Sequence, residues 1–377
     1  MSWELKRLGD FVNIKTGKLD ANASSIHGSY PFFTCSREPL QISSYSYDCE
    51  CVLIAGNGDL NVKYYFGKFD AYQRTYVIES KDKSVLWVRY LYFFLDKYLE
   101  KLREQSIGGV IKYIKLENIT DAQIPIPPLE TQIRIADILD AADALRQKDQ
   151  ELLKKYDNLA QAIFIDMFGD PVKNEKGWEV KLFDEFIEYI GDIGSNGSNE
   201  VISKNLKMLD VEDYAIMVRT TNLANDDFAK NIKYVSQETY NFFKKSKVFG
   251  GEIIMNKIGS AGDFWIMPNL NKPVSLGLNQ LVIRLKNLNT KYLFHYLSTP
   301  FGKHIIKSSV NGAVTKSITK GAVKNLSIIY PSILLQEKFE KRINQVESLR
   351  KNLTEASNKS EKNFHSILQN AFNGELV

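Results

Sequence analysis

The strongest constraint on this chain is that it is written twice. Trp3-Glu4-Leu5-Lys6 recurs 175 residues later as Trp178-Glu179-Val180-Lys181. At the same offset Leu8, Asp10, Phe11 and Val12 meet Phe183, Glu185, Phe186 and Ile187. Further along the offset is 204: Gly108, Lys112, Ile114, Ile119, Ile124, Pro127 and Gln132 fall on Gly312, Lys316, Ile318, Val323, Ile328, Pro331 and Gln336. It holds to the end, where Ile163, Phe164 and Phe168 fall on Ile367, Leu368 and Phe372. Such self-similarity calls for two like units, the second with about 29 extra residues of loop or element. Two similar units suit a partner with two similar sites; duplication for stability alone is the alternative.

Each unit runs into a long helical pattern. Residues 132–168 contain neither Pro nor Gly, and Ile135, Ile138, Ala142, Leu145, Leu152, Tyr156, Leu159 and Ile163 recur at helical spacing, with Asp149 interrupting the stripe. Pro127-Pro128 precedes this segment and Gly169-Asp170-Pro171 stops it. The second helix is expected from about Gln336 to Asn373, striped by Phe339, Ile343, Val346, Leu349, Leu353, Ala356, Phe364, Ile367 and Ala371 and stopped by Gly374. At 1.5 Å per residue each is roughly 55 Å long. A helix that long with a narrow apolar stripe needs a partner. The economical partner is the other copy, as an antiparallel coiled coil acting as a spacer; packing of each helix on its own domain is the alternative. Ile135, Leu139, Leu145, Leu152, Phe164, Phe168, Val346, Leu353, Phe364 and Leu368 are the candidate interface residues of these helices, toward each other or toward further subunits.

The globular parts read as mixed α/β. Strands are expected at Cys51–Ala55, Tyr64–Phe66 and Tyr76–Glu79 and a helix over Val85–Gln105. The second part repeats the scheme with Ile216–Thr220, Glu252–Asn256, Leu281–Leu285 and a helix near Thr290–Ser308. The fold class expected is α+β: two tandem mixed α/β domains, 1–131 and 170–335, separated by long helices at 132–169 and 336–377 that form an antiparallel coiled coil. A Gly-bearing loop precedes each closing segment, placing Lys112 and Lys316 in equivalent stations, for phosphate contact or for capping a nearby carbonyl or acid.

Net charge is only +4, yet it is unevenly distributed. Residues 1–130 carry 16 basic and 16 acidic groups, whereas 228–335 carry 15 basic and 3 acidic. An excess of that size creates a positive potential suited to a polyanion, or else marks a solvated face. No apolar run approaches the roughly 20 residues that span a bilayer, and the start shows no apolar signal segment. Three cysteines, Cys35, Cys49 and Cys51, argue against a disulfide framework and for a reducing, cytoplasmic setting.

Catalytic patterns are missing. There is no phosphate-binding Gly-x-x-x-x-Gly-Lys-Ser/Thr, no dinucleotide fingerprint and no paired zinc motif, so no catalytic or metal residues are assigned. One pattern imitates a magnesium nuclease: Asp59 or Asp70 with Glu79-Ser80-Lys81. The second unit has no counterpart, which makes a self-sufficient Mg-dependent endonuclease the weaker alternative, beside a coiled-coil scaffold without DNA reading.

Taken together, Trp3-Glu4 and Trp178-Glu179 opening the units, Ile124-Pro125-Ile126-Pro127-Pro128-Leu129-Glu130-Thr131-Gln132 closing the first and the helix tails ending in Phe168-Gly169 and Phe372-Asn373-Gly374 resemble the specificity (S) subunit of type I restriction-modification enzymes over essentially the whole length. The second closing keeps Pro331 and Gln336 but loses the Pro-Pro-Leu-Glu. The resemblance implies two target recognition domains, each reading half of a split double-stranded DNA target. It implies helices that set the gap between halves and dock two methyltransferase (M) subunits, with restriction (R) subunits joining. It implies a non-catalytic chain without a cofactor of its own, S-adenosylmethionine, ATP and Mg²⁺ belonging to the partners.

For DNA reading, Lys and Arg supply phosphate contacts, Arg pairs with guanine and Asn or Gln with adenine. Candidates are Arg37, Lys63, Tyr64, Arg74 and Lys112 in the first unit and Arg219, Thr220, Asn222, Lys257, Ser260, Gln280 and Lys316 in the second. Surface turns and structural hydrogen bonds use the same residue types. Trp3 and Trp178 are expected as core anchors rather than base stackers.

Overall fold

The structure, a computed structural model, describes residues 3–376. The chain divides into two compact units: residues up to Leu152 together with those from Leu353 onward, and Leu153–Asn352.

In the first unit β1 (Leu5–Arg7), β2 (Val12–Thr16), β3 (Tyr30–Phe33), β4 (Leu40–Ile42), β5 (Tyr47–Ala55), β6 (Val62–Ala71) and β7 (Thr75–Ser80) precede α1 (Val88–Gln105), α2 (Leu116–Thr120) and β8 (Gln123–Pro125). A six-stranded sheet has the order β2-β7-β5-β6-β3-β4, antiparallel throughout except where β3 meets β6. Cys51–Ala55 is apolar at every position because both faces of β5 are covered. Val52 and Ile54 pack with Leu91 and Leu95 of α1, while Cys51 and Leu53 meet Phe33, Phe69 and Val77 on the other side.

The helix α3 (Leu129–Phe168) starts in this unit, directly after the Pro127-Pro128 pair and earlier than the expected start at Gln132. Ile135, Ala136 and Leu139 join the same core as Phe364, Leu368, Ala371 and Phe372 of the C-terminal helix (Ile333–Asn373). The start of one helix therefore lies against the end of the other, antiparallel. Arg146 bonds Asp143 and Glu361 (3.1 Å to the latter) and covers the Phe364 ring at 4.5 Å. The break in the apolar stripe is explained by a polar pair: buried Asp149 accepts from the Ser360 hydroxyl at 2.8 Å.

The second unit contains β9 (Glu179–Leu182), β10 (Ile187–Gly191), α4 (Asn199–Asn205), β11 (Ala215–Val218), α5 (Thr220–Ala224), β12 (Lys233–Val235), α6 (Gln237–Phe242), β13 (Lys247–Val248), β14 (Ile253–Asn256), β15 (Phe264–Ile266), β16 (Val274–Leu276), β17 (Gln280–Leu285), α7 (Thr290–Ser298), α8 (Pro300–Ser308), α9 (Lys320–Lys324) and β18 (Ser327–Tyr330). One four-stranded sheet, β10-β17-β14-β15, is antiparallel. The other, β12-β11-β16-β13, contains the parallel pair β11–β16; one small core joins it to Ile254 and Val282 of the first sheet and a second covers its other side. This sheet falls between the two offset regimes, where the additional residues belong. The single helix expected near 290–308 is two helices. Pro300 cannot continue the first, and Thr299 caps the second by accepting from the Gly302 N–H at 3.0 Å.

The internal repeat is reproduced in strand register. Leu5 pairs with Pro125 in the β1–β8 ladder, and Val180 with Ile329 in the β9–β18 ladder. These are the positions that offsets of 175 and 204 connect. The end of α3 is buried here: Phe164 and Phe168 share a core with Tyr292, Phe339 and Ile343, and Trp178 anchors beside them, donating Nε1 to the Phe168 carbonyl at 2.8 Å.

Of the candidate interface residues, Ile135, Leu139, Phe164, Phe168, Val346, Phe364 and Leu368 are buried inside the chain's own units. Leu152 and Leu353 are half-buried, and Leu145, 53% exposed, is the one candidate left open. Packing on the partner helix and packing on a domain occur together, at both ends of each helix.

Candidate nucleic-acid interface

Both units end their central sheet in the same loop frame. In the first, Gly58 N donates to the Lys112 carbonyl at 2.9 Å and Ile114 N to the Gly56 carbonyl at 2.9 Å. In the second, Gly259 N donates to the Lys316 carbonyl at 3.1 Å and Ile318 N to the Lys257 carbonyl at 2.9 Å. The Lys-bearing loop is itself pinned at its base. Ile107 and Tyr113 exchange backbone bonds of 3.0 and 2.9 Å, and Asn311 and Ser317 exchange two of 2.8 Å. Gly108 (φ +114°) and Gly312 (φ +104°) are required there: a Cβ would stand 2.5 Å from the Ile111 carbonyl oxygen and 2.2 Å from that of Thr315.

Other segments of the first unit are tied to this frame. Gly56 N donates to the Arg74 carbonyl at 2.7 Å, and the Asn61 amide to the Cys35 carbonyl at 2.9 Å. The segments carrying Arg37, Lys63, Arg74 and Lys112 thus meet at one end of the sheet, although the sequence separates them by up to 75 positions. Arg37 pairs with Asp59 at 3.0 Å, both well exposed. A pair of that kind is worth at most about 1 kcal/mol and yields readily to a phosphate. Lys63 donates to Asn61 and is half-buried; burial pushes its ammonium down to about 8. Arg74 and Lys112 are exposed.

Tyr64 is placed differently. Its hydroxyl donates to Glu50 at 2.7 Å and its ring lies under Arg89 at 4.7 Å. Burial, with Glu50 beside it, pushes the phenol up to about 12. Glu50 also holds Lys83 at 2.7 Å, so Tyr64 is a member of a polar cluster.

In the second unit several expected readers also turn inward. Asn222 is buried, accepts from the Arg219 N–H and donates to the Asp227 carbonyl, both at 3.1 Å, and so shapes the turn. Gln280 is buried and accepts from Gly277 N at 3.0 Å, leaving its Nε2 without a partner among the described residues. Thr220, Asn256 and Ser260 form a chain of two 2.7 Å bonds, with Ser260 at its exposed end. Arg219 donates to the Asn231 carbonyl while its Nε finds no partner among the described residues. Lys257 is committed to Asp192 at 2.7 Å, and Lys320 meets the same carboxylate at 2.8 Å. Burial alone would raise the Asp192 pKa; the bonds from Lys257, Lys320 and Ser195 outweigh it and hold the carboxyl well below the usual range. Tyr64, Asn222, Gln280 and Lys257 are thus each engaged in bonds within the fold. A one-dimensional pattern cannot distinguish such bonds from base contacts, because both use the same hydrogen-bonding groups.

Lys316 is exposed and borders a cleft of about 760 Å³ walled by Phe264, Trp265 and Phe294. Lys303 and Lys307, absent from the candidates above, complete its rim, and none of the three lysines has an acidic partner among the described residues. The spacing of four between Lys303 and Lys307 on one helix was the available signal. Phe264 and Trp265 come from the strand next to β14, a neighbour relation that sequence order does not reveal.

The nuclease-like pattern is dispersed. Glu79 pairs with Lys15 at 3.3 Å, and Lys81 donates to the Gly9 and Asp10 carbonyls, both at 3.0 Å. Asp59 holds Arg37, and Asp70 accepts from Ser46 at 2.7 Å and from Ala71 N at 2.8 Å. Among the described residues no group of three His, Cys, Asp or Glu side chains is arranged to hold a metal, and no helix is long and apolar enough to cross a membrane.

Known proteins agree with the repeat. The type I restriction modification DNA specificity domain model matches twice, over residues 1–155 and 175–360. The EcoDI type I restriction enzyme specificity subunit of Escherichia coli is 43% identical over 140 residues, 37% of this chain and 31% of that subunit, so the match spans less than a third of that relative. A crystal structure of the type I restriction-modification S subunit from M. genitalium superposes with a TM-score of 0.64 at 14% identity, covering 99% of this chain and 96% of that one. A second structure, described as showing complex assembly and conformational transition of the type I R-M system, gives 0.53 at 16% identity, covering 100% and 98%. At such identities the likeness is one of fold: two α+β units linked by long helices. With its family model matched in both repeats, the chain belongs to the type I restriction-modification DNA specificity family.

Proposed function

We propose that this chain is the non-catalytic specificity subunit of a type I restriction-modification complex, reading a split target in double-stranded DNA with one unit per half. The observation that carries this reading is the loop frame built twice, each time presenting an exposed lysine, Lys112 or Lys316, at the end of a sheet. Arg37 and Arg74 beside the first frame, and Lys303 and Lys307 beside the second, supply phosphate contacts. Sequence is read from the same loops, where Arg219 and Ser260 remain candidates toward base edges. Two methyltransferase subunits and the restriction subunits are the expected partners; S-adenosylmethionine, ATP and Mg²⁺ would be held by them. The description of the second structural relative as an assembling R-M system supports this partnership.

Genome-wide mapping of methylated bases in cells with and without the chain tests the reading. A bipartite motif that disappears with the chain is the expected result. Methylation that is indifferent to the chain, or equal binding of all sequences by the assembled complex, would sink it.

A further inference from the structure

Val110 and Val314 are wholly exposed, and they stand 204 residues apart at the same station of the repeat. Each sits at the tip of a loop closed by two backbone hydrogen bonds and turned by a left-handed glycine. Neither valine has a core to serve. A β-branched aliphatic group held in water on a pinned loop, twice, is unexplained by folding. Two positions further along each loop comes an exposed lysine, Lys112 or Lys316.

Resting on the DNA-reading assignment above, we propose that each tip is a wedge for the groove of the duplex bound by its own unit. The valine presses between base edges at one step while the adjacent lysine holds a flanking phosphate. Charge selects this occupant over a protein surface: the first loop is tied to segments carrying Arg37 and Arg74, and the second borders the cleft rimmed by Lys303 and Lys307. Residue type agrees: valine is under-represented among the residues that anchor protein interfaces, whereas apolar side chains are what minor-groove binders wedge between base steps.

The test uses the full chain assembled with its methyltransferase subunits. A photo-crosslinking residue placed at position 110 or 314 is irradiated in the presence of target duplex, and adducts on DNA are expected. Val110→Ser and Val314→Ser, exposed changes that leave folding untouched, should each weaken binding about tenfold while preserving its salt dependence. Lys112→Ala and Lys316→Ala should instead lower the salt slope by about 1 each. Adducts on a protein subunit, or no DNA adduct from a complex that still methylates its split motif, would overturn the wedge and leave the DNA-reading assignment standing. A complex whose methylation is indifferent to this chain overturns both.

Discussion

Gln132 and Gln336 make the same bonds in the two units. Each donates its Nε2 to the carbonyl of the proline five residues earlier, Pro127 or Pro331, at 2.8 Å. Each accepts at Oε1 from the backbone N–H just before a helix, Trp87 or Asn289, at 2.9 Å. Both side chains are fully buried. The glutamine thereby ties the start of a long helix to the start of a domain helix and satisfies an N–H that the helix cannot. Nearby tyrosines act alike, Tyr90 on the Pro125 carbonyl at 2.9 Å and Tyr292 on that of Ile329 at 2.7 Å.

Gln132→Ala leaves the Trp87 N–H and the Val85 and Pro127 carbonyls without partners. The first unit should lose about 2–3 kcal/mol of stability. Hydrogen exchange at the peptide containing Trp87 should accelerate in the variant, with peptides of the second unit unaffected.

His295 is half-buried in a T-shaped contact with Phe339, ring centroids 5.3 Å apart, and its partial burial pushes its pKa down to about 4. The unfolded value is about 6.5, so the folded unit favours the neutral ring. Stability contributed by this residue is intact above about 6.5 and declines as pH falls toward about 4. Urea midpoints for the second unit should drop between pH 7 and 5 by the equivalent of about 2 kcal/mol, and His295→Phe should remove that drop.

Asp192 carries the opposite kind of group but the same direction of pH dependence. Its carboxyl is held low by Lys257, Lys320 and Ser195 against the effect of burial. Its contribution is present above the unfolded value of about 3.9 and is lost as pH falls through the depressed folded value. Asp192→Asn should cost about 3 kcal/mol at pH 7, since two lysines lose their counter-charge. The gap to the wild type should narrow in melts below about pH 4.

Lys63 loses its proton near pH 8 because it is partly buried. If it faces DNA phosphate in the complex, the salt slope of binding should fall by about 1 as pH rises from 7 to 9. Lys63→Met should lower the slope at pH 7 and abolish its pH dependence. Arg219→Ala should weaken binding at one half of the target and spare the other, measured with duplexes altered in a single half.

The duplication, both long helices and the matched glycine loops were legible in the sequence. Each is a local or periodic property: offsets of 175 and 204, runs free of Pro and Gly, and a backbone turn only glycine can make. The single helix read across 290–308 failed at Thr299-Pro300, where local capping chemistry outweighed apolar spacing.

Which polar residues remain free was decided by tertiary structure. Asn222 and Arg219 are near neighbours in sequence, yet one is buried holding a turn and the other lines a polar niche. Lys257 is engaged because the fold brings Asp192, 65 positions away, to 2.7 Å. The helix stripe was visible as apolar, but its occupants were not: Phe164 and Phe168 are covered by Tyr292 and Phe339. Sequence alone determined that this is a twofold repeat with two long helices, because periodicity and backbone chemistry are written locally. Which side chains face a partner was settled only by folding, because burial and ion pairing join residues that are distant in the chain.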